Sequence, residues 1–410
     1  MSKLEELIKE FCPNGVEYKR LSEVVVRISS GLNPRNNFRL NPTGATNFYV
    51  TVKEITKGKI IFNEKTDRID DDALDIIQNR SHLEENDILL SGIGTIGKVA
   101  IVDIPTKNWN CSESVLLLKP KQSLFLPKFL KYILESNGVQ SYFNKVATGS
   151  TLRGIRMRDL QELQIPLPAL PVQREIVRIL DSFTLYSAEL TAELTARRKQ
   201  YEFYRDKLLK FDSGNIPRVK LKDIATEFYR GYGITREQVT KEGIPCVRYG
   251  EIYTTYNTWF DKCVSYTKVE DIASPKYFEY GDILFAITGE SVEDIAKSAA
   301  YIGNEKCLAG GDIVVMKHKQ NPKFLAYALS TFDARQQKSK GKIKSKVVHS
   351  NVPSIENIEI YLPPMEVQEK IVKVLDNFDA ICSDLGIGLP TEIEKRQKQY
   401  EYYRDKLLTF

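Results

Sequence analysis

The sequence predicts an α+β protein: two mixed α/β domains joined by two long antiparallel helices, arranged as a pseudo-two-fold internal repeat. Three observations predict this. PALPVQREIVRILDSF, from Pro168, returns as PPMEVQEKIVKVLDNF from Pro363. RRKQYEFYRDKLLKF, ending at Phe211, returns as KRQKQYEYYRDKLLTF, ending at Phe410. Between these helical segments lie short Val/Ile/Tyr runs broken by Gly, Pro and Asn, the pattern of strands and turns.

The first pair of segments is offset by 195 residues and the second by 199, so the second copy carries four extra residues between them. LPKFLKYILES (126–136) also parallels NPKFLAYALST (321–331), and Asp87-Ile88-Leu89 parallels Asp282-Ile283-Leu284, both at the offset of 195. The remainder of 20–165 and 220–360 shares only scaffold residues, as expected of two different readers on one scaffold. The domains divide as 1–167, a central helical region 168–213, 214–362, and a C-terminal helical region 363–410.

Each element has its own reason. Met1–Phe11 carries the charges of an amphipathic helix and no long apolar core, so it is not a signal peptide. From Ile176, apolar positions at 176, 180, 183, 190, 194, 201, 204, 208 and 211 keep one heptad frame, interrupted at Ser187 and Arg197. A helix over 172–211 would run roughly 60 Å. Its stripe needs a partner, and 366–410 supplies one in the same chain, favouring an internal antiparallel pair over a homodimerising coiled coil. Gly386, Gly388 and Pro390 predict a kink or short loop in the second copy. Helices at about 127–143 and 322–337 close the two β-rich regions.

Composition narrows function by exclusion. Lys and Arg number 59 against 54 Asp and Glu, a net +5 that suits nucleic acid and equally suits a mildly basic enzyme. Six cysteines without a C-x-x-C pair read as reduced thiols, and three scattered histidines make a metal site or a Ser/His triad improbable. No apolar run reaches the roughly 18 residues of a membrane span, and the expected location is the cytoplasm. Gly92-Ile-Gly-Thr-Ile-Gly97 fits G-x-G-x-x-G, but a β pattern, KVAIVD, follows where a dinucleotide site continues into a helix. It is read as a turn between strands. No P-loop, H-E-x-x-H or [DN]-P-P-[FY] motif is present, so the chain is expected to have no chemistry of its own.

Basic and aromatic residues gather in corresponding loops of both halves. The first half offers Arg35, Asn36 and Arg39 (29–39), Thr95 in the glycine turn, and Arg153, Arg156 and Arg158 (149–158). The second offers Arg230, Tyr232 and Arg236 (228–236), then Lys338, Lys340, Lys342, Lys344 and Lys346 in an acid-free stretch. Lysines in glycine-containing loops suit phosphates, whereas Arg with Asn suits base edges in the major groove.

The order of variable region, P-x-x-x-x-Q-x-x-I-V-x-x-L-D helix, second variable region and second such helix resembles the Type I restriction–modification specificity subunit over essentially the whole chain. SAEL (187–190) and TAEL (191–194) resemble the tetrapeptide repeats of one Type I class; SDLGIGLP replaces them in the second half. The resemblance implies two target-recognition domains, each reading half of a bipartite, asymmetric DNA target, with the helices setting their separation. It implies two modification subunits carrying S-adenosylmethionine, restriction subunits using ATP and magnesium, and no cofactor on this chain. The alternative is a coiled-coil adaptor that binds protein without DNA specificity.

Overall fold

The computed structural model describes residues 2–149, 153–211, 214–292, 294–338, 342–344, 347–383 and 388–410. The chain forms two units. One comprises Met1–Glu189 with Glu394–Phe410, and the other Leu190–Ile393.

In the first unit a four-stranded antiparallel sheet runs in the order Val25–Ser30, Val115–Pro120, Ile88–Ser91, Val99–Ile101. Ile88 and Leu90 point into a core with Phe129, Leu130 and Ile133, while Leu89 points into another with Val50 and Trp109. A strand covered on both faces reads as an unbroken apolar run, which is why DILL shows no alternation. A second sheet pairs Asn47–Val50 in parallel with Trp109–Cys111. The helix Lys3–Phe11 starts on a capping box, Ser2 with Glu5, and lays Leu4, Leu7 and Ile8 on the first core.

The second unit repeats this construction. Ala225–Arg230, Ile313–His318, Ile283–Ala286 and Ser298–Tyr301 take the same order, with Trp259–Phe260 added at the edge. Ile283 and Phe285 enter one core and Leu284 and Ala286 another. Ile244–Val247 pairs in parallel with Cys307–Ala309.

The expected single closing helices are each two. Pro127–Glu135 ends at Ser136 and Asn137–Val146 follows; Pro322–Ser330 ends at Thr331 and Phe332–Lys338 follows. Ser136 and Thr331 have extended backbones, and their hydroxyls donate back to Ile133 O and Ala328 O at 2.7 Å. Such local bonds compete with helix continuation.

The 195-residue repeat has a physical basis in interactions made once in each unit. Gln173, fully buried, accepts from Leu126 N (2.9 Å) and donates to Leu124 O and Pro168 O (both 2.8 Å). Gln368 accepts from Asn321 N and donates to Gln320 Oε1 and Pro363 O. Asp181 accepts from the Tyr132 hydroxyl and Lys128, as Asp376 does from Tyr327 and Lys323. Each motif helix is thereby fixed to the closing helix of its own domain.

The YRD segments work by exchange. Asp405, from the C-terminal copy, accepts from Asn137 N (3.0 Å) at the start of a helix in the first unit. Asp206, from the central copy, accepts from Phe332 N (3.0 Å) at the matching helix in the second unit. A carboxylate there satisfies an orphan N–H and sits at the positive end of the helix. Within the first unit Phe183 stacks on Tyr403 (5.5 Å) and Arg396 lies over Tyr186 (5.3 Å), so partner numbers fall as the chain advances. Within the second unit Tyr204 stacks on Phe378 (5.9 Å), the repeat image of the first contact. The helices therefore pair antiparallel within each unit, as the shared heptad frame predicts. The central helix spans Leu170–Leu208; the second copy is two helices, Met365–Ser383 and Leu389–Leu408. Pro390 falls in the first turn of the latter, where a missing N–H costs no helical bond; Gly386 lies outside the described residues.

Candidate nucleic-acid interface

Four segments of the first unit are stitched along one edge by backbone bonds. After Ser30 the chain passes so close to Cys111 that a Cβ on Gly31 would lie 1.8 Å from its carbonyl oxygen, so only glycine fits. Leu32 N then donates to Cys111 O (3.2 Å), and Asn33 to the Glu113 carboxylate. Gly92 N donates to Ser114 O (2.8 Å), Ile155 N to Gly92 O (2.9 Å), and Gly94 N to Arg153 O (2.9 Å). The 31–39 loop, the 112–114 turn, the glycine turn and the segment 153–155 thus form one ridge.

The second unit builds the same ridge from corresponding segments. A Cβ on Gly231 would lie 2.2 Å from Gly310 O, and Tyr232 N donates to Ala309 O (3.0 Å). Ile287 N donates to Asp312 O and Ser350 N to Ile287 O, both at 2.9 Å. Ile287 and Ser350 stand 195 residues after Gly92 and Ile155. Here the ridge extends into a three-stranded ribbon of Thr288–Gly289, Val347–His349 and Lys342–Lys344.

The glycine motif joins Ile88–Ser91 to Val99–Ile101 as an antiparallel hairpin, the turn the sequence predicts, with Gly94 and Gly97 at positive φ. Thr95 is exposed at its tip. The arginines fall into two sets. Arg153 donates to Asn144 O (2.6 Å), Arg156 is held by Asp159 at 2.7 and 3.1 Å, and Arg230 by Asp312 at 2.6 Å. Arg35, Arg39, Arg158 and Arg236 are exposed and have no ion pair among the described residues. Asn36 is exposed beside Arg35, and Tyr232 is 41% exposed on the second ridge.

The lysine run divides differently from its even spacing in the sequence. Lys342 and Lys344 lie on the outer strand of the ribbon, while Lys340 and Lys346 lie outside the described residues. Lys338 departs from the solvated side chain that the sequence suggests: it is 7% exposed, with its ammonium bonded to Ser298 Oγ and Leu329 O. A lysine in a charged run reads as solvated, but here it ends a helix packed against the sheet.

The buried acids at the strand starts are staples. Asp87 accepts from Glu84 N (3.0 Å) and Asp282 from Glu279 N (2.9 Å). Burial pushes Asp87 up to about 6, and Asp282 upward as well. Both precede a central strand and bind their own turns, and Asp282 also accepts from Lys317 (3.1 Å), an arrangement that serves structure. Sequence reasoning missed Asn33 and Glu113, which tie the first loop to the ridge; the signal available was the matching Gly31 and Gly231.

Among the described residues no cluster of His, Cys, Asp and Glu could hold a metal, and no helix is long and apolar enough to cross a membrane.

The model of the Type I restriction modification DNA specificity domain matches residues 13–197 and again 216–395, the two copies of the internal repeat. A type I restriction enzyme specificity subunit from Escherichia coli is 30% identical over 260 residues, covering 61% of this chain and 63% of that protein. The match therefore spans less than two thirds of the relative's length. A type I specificity subunit from Mycoplasma pneumoniae is 32% identical over 257 residues, covering 60% of this chain and 92% of that one. A solved structure, described as the basis of complex assembly and conformational transition of the type I R-M system, superposes with a TM-score of 0.63 over 97% of this chain and 98% of its own. At 16% identity that likeness concerns the fold alone. With the family model matched twice over most of its length, the chain belongs to the Type I restriction modification DNA specificity domain family.

Proposed function

We propose that this chain is the DNA-sequence-specificity subunit of a Type I restriction–modification complex and is not itself an enzyme. Residues 1–167 and 214–362 are the target-recognition domains, and 168–213 and 363–410 the helical regions between and after them. Each recognition domain reads one half of a bipartite, asymmetric target through its ridge. The chain itself binds no cofactor. It works in the cytoplasm with two modification subunits, which hold S-adenosylmethionine and methylate adenine, and with restriction subunits, which use ATP and magnesium.

The observation that carries this reading is the ridge built twice, by corresponding backbone bonds, from different residues. A duplicated catalytic site would keep its reactive side chains. These ridges keep the backbone stitches and vary the side chains, as two readers of different sequences require. Arg35, Asn36, Arg39, Thr95, Arg153, Arg156 and Arg158 are assigned to one half-site, and Arg230, Tyr232, Arg236, Lys340, Lys342, Lys344 and Lys346 to the other. Arg158, without an acid partner among the described residues, is the better base reader; Arg156, tied to Asp159, is better placed as a positioning cation.

Binding of the modification complex to duplex DNA across a salt series tests this. The logarithm of affinity should fall linearly with that of salt. Arg158→Ala should cost about 1–3 kcal/mol at one half-site only, and Arg156→Ala less. Binding indifferent to salt and to both substitutions would instead favour the adaptor.

A further inference from the structure

Lys338 leads to a second site. Its buried ammonium donates to Ser298 Oγ (2.9 Å) and Leu329 O (2.8 Å), and no carboxylate contacts it among the described residues. Burial, reinforced by the Arg335 guanidinium, pulls it down to about 7. A buried charge without a counter-charge is unfavourable.

The fold does not require this charge. The pairings Leu90↔Val99 and Phe285↔Ser298 hold the same register, so Val99 is the first-unit counterpart of Ser298. Phe143, 195 residues before Lys338, is fully buried in the same apolar core as Val99. The carbonyl of Leu134, counterpart of Leu329, is satisfied by the neutral Gln140 amide at 2.6 Å. Apolar side chains, Phe143 and Val99, therefore complete the scaffold in one unit, while a cation and a hydroxyl, Lys338 and Ser298, stand at those places in the other.

Lys338 and Ser298 border a cavity of about 360 Å³ whose wall also includes Lys297, Arg335 and Asp294. Lys297 donates to Tyr253 O (3.2 Å) and Tyr256 O (3.4 Å), and Asp294 is the only carboxylate on the described wall, where it accepts from Ser291 Oγ at 3.1 Å. Three cations outweigh it. Ser298 Oγ accepts from Lys338, leaving its own proton to donate inward. The cavity adjoins the ribbon: a Cβ on Gly289 would lie 2.8 Å from the hydroxyl of Tyr253, which lines the cavity, and Gly289 pairs with Val348.

We propose that this cavity binds a phosphate group, held by Lys338, Lys297, Arg335 and the Ser298 hydroxyl. The phosphate supplies the counter-charge that Lys338 lacks. Its source is the backbone of DNA bound by this unit or a free phosphate; the first rests on the proposed DNA-reading function and the second does not.

Two arms test it on the full chain, with Lys338→Gln, which keeps a donor for Leu329 O, and Arg335→Gln at an exposed position. In the first, thermal unfolding is compared in inorganic phosphate and in chloride at matched ionic strength. Phosphate should raise the wild-type Tm above its value in chloride, with the gain abolished in Lys338→Gln and reduced in Arg335→Gln. In the second, duplex binding by the modification complex is measured across salt. A backbone source lowers the slope by about 0.9 in Lys338→Gln; a free-anion source leaves the slope intact and shows only in the first arm. Equal phosphate responses in all three proteins together with one common salt slope would overturn the proposal. If Lys338→Gln does not fold, Arg335→Gln decides both arms by the same criteria. If no duplex binds, the DNA-reading function fails and the phosphate arm alone decides the cavity.

Discussion

Inserting a further Thr-Ala-Glu-Leu after Leu194 should change the non-specific spacer of the DNA target by one or two base pairs and leave both recognised half-sites unchanged. Residues 187–194 lie within the continuous helix Leu170–Leu208, between the contacts of Phe183 and Tyr186 on one side and of Tyr201 and Tyr204 on the other. Four added residues advance everything beyond them by about 6 Å along the axis and turn it by roughly 40°. Duplex DNA rises about 3.4 Å per base pair, so a reader engaging both half-sites must find them at a new spacing. Neither ridge includes residues 187–194, so the bases read should not change. Methylation mapping of wild-type and inserted complexes on genomic DNA measures this. A changed base preference at the old spacing would sink the idea that this helix is a ruler.

The largest loss of stability should follow Gln173→Ala. Three backbone groups, Pro168 O in a buried bond and Leu126 N and Leu124 O in part-buried ones, lose their partner at once. Each unsatisfied buried group costs about 1–3 kcal/mol, and relaxation recovers part of it, so a loss of about 3–5 kcal/mol is expected. Urea unfolding should show the transition of the first unit moving to lower denaturant. Gln173→Glu should also destabilise, because a carboxylate accepts from Leu126 N but cannot donate to the two carbonyls. A change below about 1 kcal/mol for Gln173→Ala would mean that the glutamine does not fix helix to domain.

Much of this architecture was legible because the repeat is carried by residues with tertiary duties. Gln173 and Gln368, Asp181 and Asp376, and Tyr132 and Tyr327 occupy matching places because the same bonds are made twice. The strand runs ILL and ILFA were legible from their apolarity. Other features depend on partners far away in the chain. Asp206 and Asp405 read as members of a charged helix face, and nothing local says that each caps a helix more than a hundred residues away. The parallel pairing of Asn47–Val50 with Trp109–Cys111 joins short segments without a local turn signal. The breaks at Ser136 and Thr331 were hidden because the apolar pattern continues through them.

The candidate site was legible as a set of loops and less so residue by residue. Glycine and arginine marked the segments, and the offset of 195 tied Gly92 to Ile287 and Ile155 to Ser350. Which arginines have acid partners depended on where Asp159 and Asp312 fold. Lys338 misled for a related reason: periodicity within a lysine run does not reveal that the run begins inside a packed helix.

Mapping methylated adenines in genomic DNA exposed to the complex of this chain with its modification subunits tests the central claim most directly. The account predicts one bipartite, asymmetric motif, with two specified parts separated by a gap of fixed length and unspecified sequence. Methylation at a single contiguous motif, or methylation unchanged when this chain is omitted, would contradict it.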